Sequence, residues 1–141
     1  MQVINSIADL REIARRRVPR SIFEYVDRGS YDELTLARNR TDLEALQFRQ
    51  RVLIDVSRQS MATTILGGGA AMPLVIGPTG MMGLVHGNGE LHAARAAEAF
   101  GIPFCLSTVS ICSIEDVREV TRNPFWFQLY VMKDRGYTME L

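Results

Sequence analysis

Three short stretches carry side chains that could bind and orient a polar ligand. The first is Met72-Pro73-Leu74-Val75-Ile76-Gly77-Pro78-Thr79-Gly80, an apolar run that ends in a turn bearing one hydroxyl. The second is Leu106-Ser107-Thr108-Val109-Ser110, with three hydroxyls in five positions. The third, Phe125-Trp126-Phe127-Gln128-Leu129-Tyr130-Val131, alternates, so Trp126, Gln128 and Tyr130 share one face and Phe125, Phe127, Leu129 and Val131 the other. A buried amide without a partner costs roughly 1–3 kcal/mol, so Gln128 must be satisfied by neighbouring strands or by a ligand. Taken singly, each stretch is matched by an ordinary loop or a satisfied core amide. Taken together, Pro-Thr-Gly, Ser-Thr and Gln-x-Tyr describe a polar rim where parallel strands end, the side on which α/β folds bind ligands.

The elements that would hold this rim alternate. A strand is predicted at 73–77, a helix at about 89–100 opened by Asn88 and closed by Gly101, and a strand at 103–107. A helix at about 114–121 follows, capped by Ser113 with Asp116, then a strand at 125–131. Strand and helix in alternation with short links mean parallel strands and right-handed crossovers. Leu74, Val75 and Ile76 have the composition of a strand covered on both faces. An open doubly wound sheet and a (β/α)8 barrel both satisfy this order. The absence of GxGxxG and of GxxxxGK[ST] argues against a nicotinamide-binding open sheet.

Ahead of the sheet, Ser6 with Asp9 caps a helix whose apolar face is Ile7, Leu10, Ile13 and Ala14, and Val18-Pro19 ends it. Ser21 with Glu24 predicts a second helix at 22–27 with Gly29 as terminator, and a third helical piece spans 31–39. Leu46-Gln47-Phe48 and Val52-Leu53-Ile54 read as extended pieces. Residues 61–66 read as a strand turned by Gly67-Gly68-Gly69 into the strand at Pro73, a hairpin that could close the floor of a larger structure. The organisation is thus a helical lead-in at 1–40, a linker and hairpin at 41–71, and three strands with their helices at 72–141. Lys133-Asp134-Arg135-Gly136-Tyr137 begins a further helix with no closing signal, which reads as a truncated chain.

Composition excludes several classes. Sixteen basic residues balance sixteen acidic ones, so no global field attracts nucleic acid. No run is apolar enough to span a bilayer, and no signal peptide precedes the first helix. Cys105 and Cys112 fit a reducing cytoplasm, and His86 and His92 lack partners at metal-ligand spacing. Spacing alone makes Tyr25, beside Ile22, Phe23 and Val26, an aromatic anchor on the second helix.

Five segments in this order, Ile22-Phe23-Glu24-Tyr25, Leu53-Ile54-Asp55-Val56-Ser57, Met72 to Gly80, Gly101-Ile102-Pro103-Phe104-Cys105-Leu106-Ser107-Thr108 and Trp126-Phe127-Gln128-Leu129-Tyr130-Val131, resemble the FMN-dependent α-hydroxy-acid dehydrogenases and oxidases. The resemblance covers nearly the whole chain. Its bacterial quinone-linked L-lactate branch is the nearest, through 107–112 and 131–136, with the mandelate branch next through 76–80.

The resemblance implies the N-terminal part of a (β/α)8 TIM barrel with FMN at its C-terminal mouth. Pro78, Thr79 and Gly80 would lie along the flavin, Ser107 and Gln128 would hydrogen-bond it, and Tyr25 and Tyr130 would contact a 2-hydroxy acid, Tyr25 at its carboxylate. Electrons from L-lactate, or from mandelate or glycolate, would pass to quinone or another acceptor. It further implies a homo-oligomer at full length and a cytoplasmic protein, with peripheral inner-membrane association known in the quinone-linked branch. The family's base histidine, carboxylate-gripping arginine, flavin lysine and phosphate site have no counterpart here, and neither His86 nor His92 takes the base's place. These 141 residues alone are therefore expected to be inactive. A flavin-binding fragment without activity, a nicotinamide dehydrogenase and a different flavin barrel are the rivals.

Overall fold

The computed structural model describes residues 3–140, which form two compact units divided between Arg58 and Gln59.

The first unit is helical. Helix α1 (Ile7–Arg17) starts at a complete capping box, with Ser6 Oγ accepting from Asp9 N–H and the Asp9 carboxylate accepting from Ser6 N–H. It stops where Val18, extended ahead of proline, donates its last N–H to Ala14 O at 2.8 Å. Helix α2 (Arg20–Asp27) corrects the expected capping box. Pro19 is its N-cap, Ser21 already lies inside the helix, and Glu24 pairs with Arg20 at 2.7 Å instead. Arg28, not Gly29, is its C-cap, in extended conformation. Helix α3 (Leu34–Glu44) is shifted from the expected 31–39, because Tyr31 and Glu33 take left-handed conformations and delay its start. Arg11 Nη2 donates to Asp27 Oδ2 at 2.7 Å and links α1 to α2. The pieces at 46–48 and 52–54 belong to no strand.

The second unit opens with a hairpin, β1 (Thr63–Ile65) against β2 (Gly68–Ala70), in antiparallel register Thr63↔Ala70 to Ile65↔Gly68. The turn is the two residues Leu66 and Gly67, both at positive φ, as a two-residue primed turn requires. Gly68 and Gly69 are therefore strand residues rather than turn, and the return strand is β2 rather than the segment at Pro73.

The expected strand at 73–77 contracts to a single parallel bridge, Ile76↔Phe104. It is held by Ile76 N–H to Pro103 O at 3.0 Å and Cys105 N–H to Ile76 O at 2.9 Å. Leu74 is exposed, so this segment is not covered on both faces as its composition suggested. A 3-10 turn (Met82–Leu84) leads to α4 (Gly89–Phe100), which ends on Gly101 at φ 65°, the left-handed cap its sequence announced. Asn88 does precede α4, but in a left-handed conformation and with no side-chain cap.

Strand β3 (Cys105–Ser107) pairs in parallel with β4 (Trp126–Gln128), Cys105↔Trp126 through Ser107↔Gln128. Both strands are shorter than the 103–107 and 125–131 expected. Helix α5 (Ile114–Val120) lies between them, with the predicted Ser113–Asp116 box complete. Helix α6 (Arg135–Glu140) follows β4.

The core of this unit joins Ala94 and Ala97 of α4, Phe104 and Leu106 beside and within β3, and Val117 of α5, with Ile76 and Phe125 packed against it. Each large aliphatic side chain fully buried here contributes roughly 1.5–3 kcal/mol. Leu106 faces the helices, so the pleat turns Cys105 and Ser107 the other way, and the register carries Trp126 and Gln128 with them.

Candidate functional site

The segment through Ile76, β3 and β4 run side by side in parallel, so their C-terminal ends meet at one edge. The Gly77–Gly80 turn, Ser107-Thr108-Val109 and Gln128-Leu129-Tyr130 lie there, as their spacing predicted. The turn is tied to the end of β3 by Met81 N–H donating to Val109 O at 3.0 Å. Gly80 packs so closely on Val109 that an added Cβ would lie 2.4 Å from Val109 Cγ2. Gly77 is the opposite case: a Cβ there would meet no atom within 4 Å, so protein packing does not demand a glycine.

Ser107 is buried, its hydroxyl donating to Gln128 Oε1 at 3.4 Å and accepting from Val109 N–H at 3.3 Å, which leaves it one acceptor lone pair. Gln128 Nε2 finds no protein partner among the described residues, and neither do the N–H groups of Thr79 and Gly80. Thr79 Oγ1 reaches Gly77 O only at 3.5 Å and is exposed. Pro78 has no N–H to give and is exposed. Tyr130 is half-exposed two residues beyond the last ladder pair. The rim thus offers hydroxyls, an amide, a phenol and uncommitted backbone donors. It suits recognition of a planar, polar group and lacks a carboxylate or imidazole that could take a proton.

Tyr25 belongs to α2 in the other unit, where it is 66% exposed, so it is not the packed anchor its spacing suggested. His86 and His92 stand edge to face at 5.5 Å, and His86 Nδ1 lies 2.9 Å from Gly87 O. Among the described residues no three His, Cys, Asp or Glu side chains gather as metal ligands. Both cysteines are free.

One functional group escaped sequence reading. Glu90, in the first turn of α4, is 1% exposed. Its carboxylate accepts from Ile111 N–H at 3.1 Å and from Cys112 Sγ at 3.6 Å, pinning the loop between β3 and α5. An acidic residue in a first helical turn is so common that its identity carried no signal. Burial first, then the Glu90 charge, pushes the Cys112 thiol pKa up, and burial does the same to Cys105.

Comparison with known proteins decides what this edge belongs to: residues 14–141 match the family described as FMN-dependent dehydrogenase. The chain is a member of that family. An L-lactate dehydrogenase of Caulobacter vibrioides is 50% identical over 139 residues, 99% of this chain and 36% of its own. This FMN-dependent dehydrogenase chain therefore spans about a third of the length of the curated relatives it matches. A soluble mutant of the membrane-associated (S)-mandelate dehydrogenase from Pseudomonas putida superposes with TM-score 0.84 at 37% identity, over 96% of this chain and 42% of that one. A mandelate oxidase mutant with the C4a-OH-FMN adduct does so with TM-score 0.83 at 36% identity, over 94% and 40%. The α/β architecture of the second unit is consistent with these relatives.

Proposed function

We propose that this FMN-dependent dehydrogenase chain is the N-terminal part of a (β/α)8 barrel, with 1–40 leading in, 41–71 linking and 72–141 supplying its first three strands. In the whole protein the rim would hold FMN and the enzyme would oxidise an L-2-hydroxy acid, L-lactate to pyruvate, with quinone or another electron acceptor. The single observation that carries this is the convergence of three parallel segment ends with donors left over: Gln128 Nε2 and the Thr79 and Gly80 N–H groups. The lactate assignment is supported by the 50% identity to L-lactate dehydrogenases, against 37–41% to mandelate dehydrogenases among the solved structures. The quinone acceptor, peripheral association with the inner membrane and a homo-oligomeric state rest on the resemblance. A membrane-associated relative among the solved structures favours the second of these. Among the described residues no helix is long and apolar enough to cross a bilayer.

The residues present fit a flavin. The polar edge of an isoalloxazine alternates acceptors and an N–H, and the rim presents both kinds of group. Pro78, Thr79 and Gly80 would line the ring through backbone and hydroxyl. Ser107 and Gln128 would hydrogen-bond the flavin, Gln128 donating from Nε2 while its Oε1 stays held by the Ser107 hydroxyl, which fixes the amide's orientation. The open space at Gly77 leaves room for a ring to approach. When bound, FMN supplies the acceptor for the two electrons that leave the substrate carbon. Tyr130 would donate a hydrogen bond to the substrate oxygen and hold it in register with the ring. A role for Tyr25 at the substrate carboxylate rests on the resemblance alone.

The test is anaerobic mixing of the full-length holoprotein with L-lactate, (S)-mandelate and glycolate while the flavin absorbance is followed. Bleaching fastest with L-lactate is expected. Bleaching with mandelate alone moves the assignment to that branch, and no bleaching with any of the three overturns the hydroxy-acid reading.

A further inference from the structure

The β3–β4 ladder ends at Ser107↔Gln128, yet the two chains stay joined one step further by a side chain. Thr108 N–H donates to Gln128 O at 3.1 Å, as a parallel ladder requires. The next rung of a regular ladder would run from Tyr130 N–H to the Thr108 carbonyl. It runs instead to Thr108 Oγ1, at 2.9 Å. The proton of that hydroxyl goes back to Gln128 O. One oxygen therefore accepts from Tyr130 and donates to Gln128 at once, which a hydroxyl can do and a methyl cannot. The half-buried Thr108 thus sets the backbone of 128–130, between the amide on one side and the phenol on the other.

We propose that Thr108 is a positioning residue that acts through Tyr130, its hydroxyl fixing the backbone from which the phenol reaches substrate. This rests on the reading of Tyr130 as a substrate contact. The alternative is a β-branched residue chosen only to suit a strand end, and valine would serve that purpose equally well. Valine at this position would leave Tyr130 N–H without its partner, while Gln128 O would keep only the backbone N–H of residue 108.

The experiment is a double-mutant cycle in the full-length holoenzyme, using Thr108→Val, Tyr130→Phe, the pair, and Thr108→Ser. Two quantities are read: kcat/KM for L-lactate, and the affinity for pyruvate from the perturbation of flavin absorbance, which needs no turnover. Thr108→Val is expected to lower both about tenfold, the scale of one lost hydrogen bond. Thr108→Ser should restore both to within about threefold, and Thr108→Val should cost less than about threefold once Tyr130→Phe is present. Thr108→Ala replaces Thr108→Val, with the same criteria, if the valine variant does not retain FMN. Wild-type values in the Thr108 variant, a serine variant as impaired as valine, or an undiminished further loss in the Tyr130→Phe background would each overturn the inference. Wild-type behaviour of Tyr130→Phe itself would overturn the substrate role of Tyr130, and this inference with it.

Discussion

A Cβ built on Gly80 would lie 2.4 Å from Val109 Cγ2, closer than packed carbons tolerate. Gly80 is not at positive φ, so the requirement comes from the neighbour and not from the backbone conformation. Gly80→Ala is expected to destabilise the full-length protein by about 1–2 kcal/mol through overpacking. Adding Val109→Ala should return most of that loss, because the offending atom is removed. Thermal unfolding of the two variants checks this, and equal Tm values for the single and double variants would contradict it. The strand-end residues Thr79, Ser107, Gln128 and Tyr130 were legible in the sequence, because a two-residue period and a parallel topology suffice to bring them to one edge. Glu90 was not, since its task depends on a loop 21 residues away folding back over the start of α4.

At the scale of elements, Glu98 shows how one carboxylate joins two of them. From the last turn of α4 its Oε1 accepts from Arg122 N–H at 2.7 Å and Asn123 N–H at 2.9 Å, in the link between α5 and β4. Those two backbone donors, aided by the Arg122 and Arg118 charges, hold its carboxyl below the usual glutamate range. A pKa lowered by folding contributes stability above the unfolded value of about 4.3, and that contribution is lost as pH falls through the folded value. Stability of the wild type is therefore expected to fall more steeply below about pH 4.3 than that of Glu98→Gln, which keeps an acceptor but cannot titrate. Urea unfolding at a series of pH values measures it, and parallel acid limbs would refute the link. Capping boxes made the starts of α1 and α5 readable to the residue. The same Ser-x-x-Glu pattern misled at α2, where Pro19 had already taken the cap and Arg20 had taken the glutamate. The strand at 73–77 shrank to one bridge because an apolar run reveals burial potential but not how many neighbours will pair with it.

At the scale of the molecule, the polar rim of the second unit holds no side chain suited to removing a proton. On the rim stand Thr79, Ser107, Thr108, Gln128 and Tyr130, and none is a general base of the histidine or carboxylate kind. The 141-residue chain by itself is therefore expected to give no lactate-dependent reduction of an added dye, even with FMN present in excess. Turnover above that of free FMN would show that a base lies within these residues after all.

The buried Glu90 carboxylate has a consequence for how the loop it holds can change. It grips Ile111 and Cys112 from within, while Thr108 is stitched to β4 at the other end of the same short loop. Between two such anchors the loop has no slack for insertions or deletions. Change at this corner is then expected to exchange exposed side chains such as Val109 and Ile111 on a frame whose length stays constant.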